Sequence, residues 1–208
     1  MGERPSVWAI VVNWNGRNVL EPCLRTLLAS RYRPLSVVVV DNASTDDSLA
    51  MVETEFPDIR VVRESDNRGY AAGANVGLRL ALEGEADYVL LLNNDIEIDA
   101  DAVSALVAAA EACPDCAFVG PLIYYADPPD VIWSAGGRVS YWTGNIYHLG
   151  LRERDSGRYS GPGEVDYVTG CAILASMKAV RDVGLMDESY YMYNEDTDWC
   201  VQATRMGY

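Results

Sequence analysis

Glu195, Asp196 and Asp198 stand at the start of a predicted helix, directly after the aromatic run Tyr190-Tyr191-Met192-Tyr193. Acids in a first helical turn are favoured by the helix dipole, so three carboxylates alone read first as an N-terminal cap. Two other polar groups shift that reading. The apolar run LSVVVVD ends on Asp41, and YVLLLNND ends on Asn93, Asn94 and Asp95. Open α/β sheets keep their ligands at such strand ends. A polar triplet closing a strand of Val and Leu suits a divalent cation, because Mg²⁺ and Mn²⁺ take oxygen ligands, commonly one or two carboxylates plus substrate phosphates. Asp95 is the candidate metal ligand; Glu97 and Asp99 could help, against which stands their alternation along the strand.

The turn Asn13-Trp14-Asn15-Gly16 leads from the first strand into a helix and, beside Asp41, forms a candidate base-binding cleft. An Asp carboxylate there is able to accept the imide hydrogen of uracil or thymine. Asp41 and Asn42 read equally as an Asx turn capping the helix after Ser44. The stretch from Asp66 to Gly77, DNRGYAAGANVG, is glycine-rich and opens a helix. Small residues let backbone N–H groups approach a diphosphate, and Arg68 offers it a bidentate partner. The same glycines also suit tight helix packing. Their spacing is not G-x-G-x-x-G, which argues against a dinucleotide fold of the Rossmann oxidoreductase type.

These positions need a frame. The first half alternates β-branched runs with helical patterns, from VWAIVVN through RNVLEPCLRTLLAS, LSVVVVD, DDSLAMVETEF, IRVVRE and AGANVGLRLALEG to YVLLLNN. Such alternation predicts βαβ units and an α/β fold with a mainly parallel central sheet, and unbroken apolar strands predict helices on both faces. A further helix is expected over 100–112 and a strand over 118–123. From Asp127 to Gly163 the pattern breaks into Gly, Pro and aromatic residues and reads as a hairpin-rich insertion. The strand VDYVTGCAILAS and the segment from Lys178 to Tyr208 complete one domain. The chain stops at Gly207-Tyr208 directly after a predicted helix and reads as truncated at its C-terminus.

With 208 residues, half of them hydrophobic, one sizeable core is expected. A net charge of -15 and only sixteen scattered basic residues argue against nucleic-acid binding. Five widely spread cysteines suggest no disulfide framework and a reducing, cytoplasmic compartment. Cys113-Pro-Asp-Cys116 has the spacing of half a zinc site, with no second half. The MGERPS start formally fits a myristoylation pattern and Asn42-Ala-Ser44 a glycosylation acceptor, both weakly. His148, the one histidine, reads as a loop residue.

In order along the chain, VVNWNG, DNASTDDS, DNRGYAAGANVG, LLNND, VTGCAILASMKAV and VGLMDESYYMYNEDTDWCVQATRMGY resemble the inverting family 2 glycosyltransferases of GT-A (Rossmann-like) fold, in their rhamnosyltransferase-like branch. The resemblance implies a hexosyltransferase in cell-surface polysaccharide synthesis. Its donor would be a nucleotide diphosphate sugar, dTDP-L-rhamnose first and UDP-hexoses next. Its acceptor would be a saccharide or lipid-linked hydroxyl, reached at the inner face of the membrane by peripheral contact. Residues 1–95 would form the nucleotide-binding half, with Val12, Asn13, Asp41, Asp66, Arg68, Asn75 and Asn94 at the nucleotide sugar and Asp95 on the metal. Residues 96–208 would form the acceptor-binding and catalytic half, with Asp196 as the base and Glu195 orienting the acceptor or the base. The sequence departs from the family in having Asn93-Asn94-Asp95 where many relatives carry two carboxylates. That departure supports the competing reading, a GT-A-like protein that binds nucleotide sugar without turnover.

Overall fold

The computed structural model describes residues 4–208; the first residues of the MGERPS start lie outside them. Four parallel strands, β1 (Val7–Asn13), β2 (Leu35–Asp41), β3 (Arg60–Arg63) and β4 (Tyr88–Asn93), alternate with helices α1 (Arg17–Leu28), α2 (Ser48–Glu55) and α3 (Tyr70–Glu83). Beyond them follow α4 (Ala102–Ala112), β5 (Phe118–Val119), β6 (Ile123–Tyr124), β7 (Ile132–Ser134), β8 (Gly137–Val139), β9 (Ile146–His148), β10 (Ala172–Ser176), α5 (Met177–Val183) and α6 (Glu195–Arg205). The central sheet runs β3-β2-β1-β4-β10-β5, with β10 antiparallel to both of its neighbours. A mainly parallel sheet is therefore present, as the alternating pattern predicts.

Alternate residues of each strand point to opposite faces, and each face is covered. One core packs Val11, Val39, Leu90 and Leu92 against Leu20, Leu24 and Leu27 of α1, Val52 of α2 and Val107 of α4. The other packs Ile10, Val38, Leu91 and Ile173 against Leu78 of α3, Val180 of α5 and Trp199 of α6. Trp199 is wholly buried, stacks on Phe118 at 4.2 Å and donates its indole N–H to Gly184 O at 2.8 Å. An aromatic with its polar atom satisfied anchors α6, and with it Glu195 and Asp196.

Three differences from the sequence reading appear. The strand expected over 118–123 is broken at Gly120-Pro121-Leu122 into β5 and β6, which belong to different sheets, because proline cannot donate to a ladder. The long run VDYVTGCAILAS pairs as a strand only from Ala172. Cys113 and Cys116 form a disulfide, although the sequence suggested none; the turn after α4 brings their Cα atoms to 5.4 Å, within bridging range.

Candidate active site

The sheet order reverses at β1: β2 and β3 extend to one side of it and β4 to the other. The carboxyl ends of β1 and β4 thus border the switch-point crevice where α/β sheets hold ligands. In register, Asn13 lies opposite Asp41 and Val12 opposite Asn93. Buried Asn13 is the hub of this edge. Its Nδ2 donates to Asp41 Oδ1 (2.9 Å), Ser44 Oγ (3.1 Å) and Ser48 Oγ (3.0 Å), and its Oδ1 accepts from Asn94 Nδ2 (2.9 Å). Gly16 makes the arrangement possible, since a Cβ there would lie 2.2 Å from Asn94 Nδ2 and 2.5 Å from Asn13 Oδ1.

Asp41 is only 1% exposed, and both carboxylate oxygens are taken: Oδ1 by Asn13 and Ser44 Oγ, Oδ2 by Ser44 N (2.9 Å). The carboxylate closes a turn on Ser44 but caps no helix, because α2 starts only at Ser48 behind Asp47. A buried carboxylate needs such donors, so as folded Asp41 presents no open face and holds the two loops, 13–16 and 42–45, that do face the crevice.

The glycine-rich segment divides the same way. Gly73 presses on Asn42 and Val12 and Gly77 on Ile10, so these glycines serve close helix packing. Asn75 is occupied elsewhere: its amide clasps the Met186 backbone N–H and C=O (3.0 and 2.8 Å) and donates to Glu188 Oε1 (3.0 Å). Being buried, it must satisfy both ends of its amide, and the 184–188 loop does so. Asp66 and Arg68 are exposed, Arg68 pairing with Glu188 at 3.3 Å and Glu64 at 3.5 Å. Gly69, at φ +91°, allows Tyr70 N to meet Tyr191 O at 2.9 Å; a Cβ there would sit 2.1 Å from that oxygen. This contact ties the donor half to the loop before α6.

Asp196 is half-buried. Its Oδ2 accepts from Gly170 N and its Oδ1 from Thr197 N, both at 2.6 Å, while Gly170 O accepts from Tyr70 Oη at 2.9 Å. Cys171, next along, has its thiol pushed up to about 11, chiefly by burial, with the charges of Asp95 and Asp196 both adding to the rise against the Thr169 hydroxyl. Asn93 N donates to Cys171 O at 3.1 Å, so the turn that holds Asp196 through Gly170 N also holds the end of β4. Burial likewise raises the Tyr70 hydroxyl well above its ordinary value, with Cys171, Glu195 and Asp196 adding. Glu195 is 6% exposed, its Oε2 has no partner among the described residues, and burial raises its carboxyl, with Asp196 adding to the rise against its own backbone N–H. Just before it, Tyr193 and Asn194 both adopt left-handed backbone, at φ 72° and 70°.

In the aromatic run before α6, Tyr191 and Tyr193 stand open to solvent. The rings whose environment senses Asp196 are Tyr70, Tyr167 and His148, which the sequence reading missed. His148 lies on β9, its Nδ1 bonded to Ser134 Oγ (2.9 Å) and Tyr167 Oη (3.3 Å) and its ring tilted against Trp133 at 4.7 Å. Burial lowers its pKa and Asp196 opposes that. No spacing signal joins residues 70, 148, 167 and 196.

Asp95 is exposed at the crevice, whereas Asn94 is bound to Asn13 and Asp99 caps Asp101 N. Among the described residues no three His, Cys, Asp or Glu side chains gather around a metal position, which removes the zinc reading of Cys113 and Cys116. One carboxylate fits a hard cation completed by phosphate oxygens and water, and does not fit a cage built by protein alone. Among the described residues no helix is long and apolar enough to cross a membrane.

Comparison with known proteins gives a consistent set. The chain is 27% identical to the N-acetylglucosaminyl-diphospho-decaprenol L-rhamnosyltransferase of Mycobacterium tuberculosis, over 91% of this chain and 67% of that protein. It is 25% identical to the dTDP-rhamnosyl transferase RfbF of Shigella flexneri, over 97% of this chain and 64% of that one. Its backbone matches a mannosyltransferase from Pyrobaculum calidifontis, solved with GDP-Man and Mn²⁺, at a TM-score of 0.71 and 21% identity, covering 99% of this chain and 54% of that one. The chain thus spans about two thirds of the curated relatives and about half of the solved structure. The fold is GT-A, and because the family model described as glycosyl transferase family 2 matches residues 8–184, the chain belongs to that family.

Proposed function

We propose that this chain carries the donor-binding and catalytic parts of an inverting glycosyltransferase. It moves a hexose, with rhamnose from dTDP-L-rhamnose first and UDP-hexoses next, onto a hydroxyl of a saccharide on a lipid carrier. The observation that carries the reading is that the 170–171 turn joins the end of β4, through Asn93 N to Cys171 O at 3.1 Å, to the start of α6, through Gly170 N to Asp196 Oδ2 at 2.6 Å. Parallel strands supply one and an anchored helix the other, so donor and base meet from opposite halves. The rhamnosyltransferase names of two relatives support the donor, and the decaprenol-linked acceptor of the mycobacterial one supports the acceptor class.

In this account the nucleotide base rests against the loops 13–16 and 42–45 that Asp41 and Asn13 hold. Asp66 and Arg68 border the diphosphate, Arg68 exchanging its surface pairs with Glu64 and Glu188 for it. Asp95 would hold a Mg²⁺ or Mn²⁺ ion, which when bound neutralises charge building on the departing diphosphate. Asp196 accepts the proton of the acceptor hydroxyl as that oxygen bonds to the anomeric carbon and the bond to the diphosphate breaks. Attack from the face opposite the leaving group inverts the centre. Gly170 N and Thr197 N orient the carboxylate, and Glu195 Oε2, unpartnered among the described residues, stands as a second acceptor beside it.

The single carboxylate of Asn93-Asn94-Asp95 favours a second reading, donor binding without turnover. One experiment separates them: the full-length protein is incubated with dTDP-L-rhamnose or UDP-hexoses and a short-chain lipid-diphosphate saccharide, with and without EDTA, and products are weighed by mass spectrometry. The proposal expects one added deoxyhexose or hexose that EDTA abolishes. Donor binding with no product under any condition establishes the second reading.

A further inference from the structure

The β8–β9 ribbon is clamped at one end and bare at the other. At its base Gly137 lies so close to Tyr167 that a Cβ would come within 2.0 Å of the ring, Val139 packs on the second core, and His148 is bonded to Ser134 and Tyr167. At its tip Ser140 N donates to Asn145 O (2.8 Å) and Gly144 N to Ser140 O (2.7 Å), closing a tight turn. On that ordered turn Trp142 is 100% exposed and Tyr141 65%, and Tyr147 (55%), Ile146 (40%) and Leu151 (44%) follow on the ribbon and just past it. Exposed aromatics clustered this densely mark an interaction surface.

The charge pattern selects the partner. The chain carries a net charge of -15, yet no Asp or Glu stands between Asp130 and Glu153. Within that stretch lie Arg138, paired with Asp166, and exposed Arg152, which makes no ion pair among the described residues. Asp166, bonded to Arg138 and to Val139 N, stands at the base of the ribbon, so the acid-free part is its tip, where an acidic protein is least repelled by an anionic surface. Tyr and Trp beside Arg, with small polar Thr143, Gly144 and Asn145 between them, is the composition that settles at a lipid headgroup boundary, where rings meet acyl chains and polar tips stay wet.

Position completes the argument. At ~3.3 Å per residue the tip stands about 12 Å beyond His148, and His148 is bonded to Tyr167, on the same segment as the Gly170 N that holds Asp196. A membrane touching the tip therefore lies a short, fixed distance from the candidate base. We propose that the Ser140–Asn145 tip of this ribbon docks the protein on an anionic lipid bilayer and presents Asp196 to acceptor headgroups there. The proposal rests on the lipid-linked acceptor of the preceding section, but its binding arm does not.

The test uses the full-length protein and the double variant Tyr141→Ser, Trp142→Ser, whose exposed positions leave the fold intact, checked by equal melting temperatures. Co-sedimentation with phosphatidylcholine vesicles containing phosphatidylglycerol should fall by about tenfold in the variant, with Trp142→Phe retaining most of the binding. Pure phosphatidylcholine should bind less than the mixed vesicles. Turnover of a water-soluble short-chain acceptor should be unchanged, and turnover of vesicle-embedded acceptor should fall with binding. Equal vesicle binding by wild type and variant overturns the proposal. So does an equal loss on the soluble acceptor, which would make the tip a saccharide platform, or a wild-type dimer that the variant dissolves without vesicle binding. Tip-dependent vesicle binding by a protein that transfers no sugar would leave this proposal standing and remove the functional one.

Discussion

The two halves of the molecule hold their polar groups in opposite ways. At the carboxyl ends of β1, β2 and β4 the buried side chains Asn13 and Asp41 are paired inside the chain, Asn13 with Asp41, Ser44, Ser48 and Asn94 and Asp41 on both oxygens, and Asp95 stands exposed beside them. Beyond residue 96 the strands shorten to two to five residues, aromatics stand in solvent, two successive residues before α6 take left-handed backbone, and Glu195 Oε2 is buried without a partner among the described residues. The first half is a prebuilt cradle whose order comes from continuous sheet packing. The second is a set of loops clipped by local contacts, Tyr70 N to Tyr191 O, Asn75 to Met186 and Asp196 to Gly170 N, in which Asp196, held by backbone N–H groups, stays partly exposed.

Substitutions that remove chemistry in the second half and frame in the first should separate cleanly. The largest effect is expected from Asp196→Asn in the full-length protein, a loss of turnover on the order of 10²-fold to 10⁴-fold in a transfer assay. Variant and wild type transferring at one rate would reduce Asp196 to a helix cap. Asp95→Asn should cost on the order of 10²-fold in kcat/KM and abolish the dependence on added Mn²⁺, since the charge it supplies acts on the diphosphate. Unchanged sensitivity to EDTA in that variant would move the metal elsewhere.

Asn13→Ala acts on the frame. It strips the buried Asp41 carboxylate of one donor and leaves Asn94 without its acceptor, so a destabilisation of about 2–4 kcal/mol is expected, read as a lower denaturation midpoint in urea. An unaltered midpoint would show that water replaces the hub.

The smallest effect is a pH signature at Glu195. Because burial raises its carboxyl, the folded chain holds that proton more tightly than the unfolded chain does. The resulting stability is complete below the ordinary glutamate range and is lost as pH rises through the raised value. Glu195→Gln has no such proton, so its melting temperature should gain on the wild type as pH rises through that window. A difference constant with pH would mean that Glu195 is solvated.

The same contrast explains how much the sequence revealed. In the first half strand ends, helix starts and the Asn13, Asp41 and Asp95 positions are all legible, because period and turn chemistry are local. What escaped there is the assignment of Asn75 and Asp41, whose partners lie across the fold at Met186 and Asn13. In the second half Glu195 and Asp196 were visible as acids at a helix start. Tyr70, Tyr167 and His148 were not, because residues 70, 148, 167 and 196 meet only through tertiary packing. The Cys113–Cys116 pairing likewise depends on chain geometry that composition does not encode, whereas the break at Gly120-Pro121 was legible in the proline itself.

The division between cradle and chemistry is tested most directly by titrating the nucleotide diphosphate sugar, calorimetrically, into full-length Asp196→Asn and wild type. The account predicts donor affinities within about twofold of each other despite the loss of turnover. An affinity that falls in step with turnover would place Asp196 in donor binding and contradict the division.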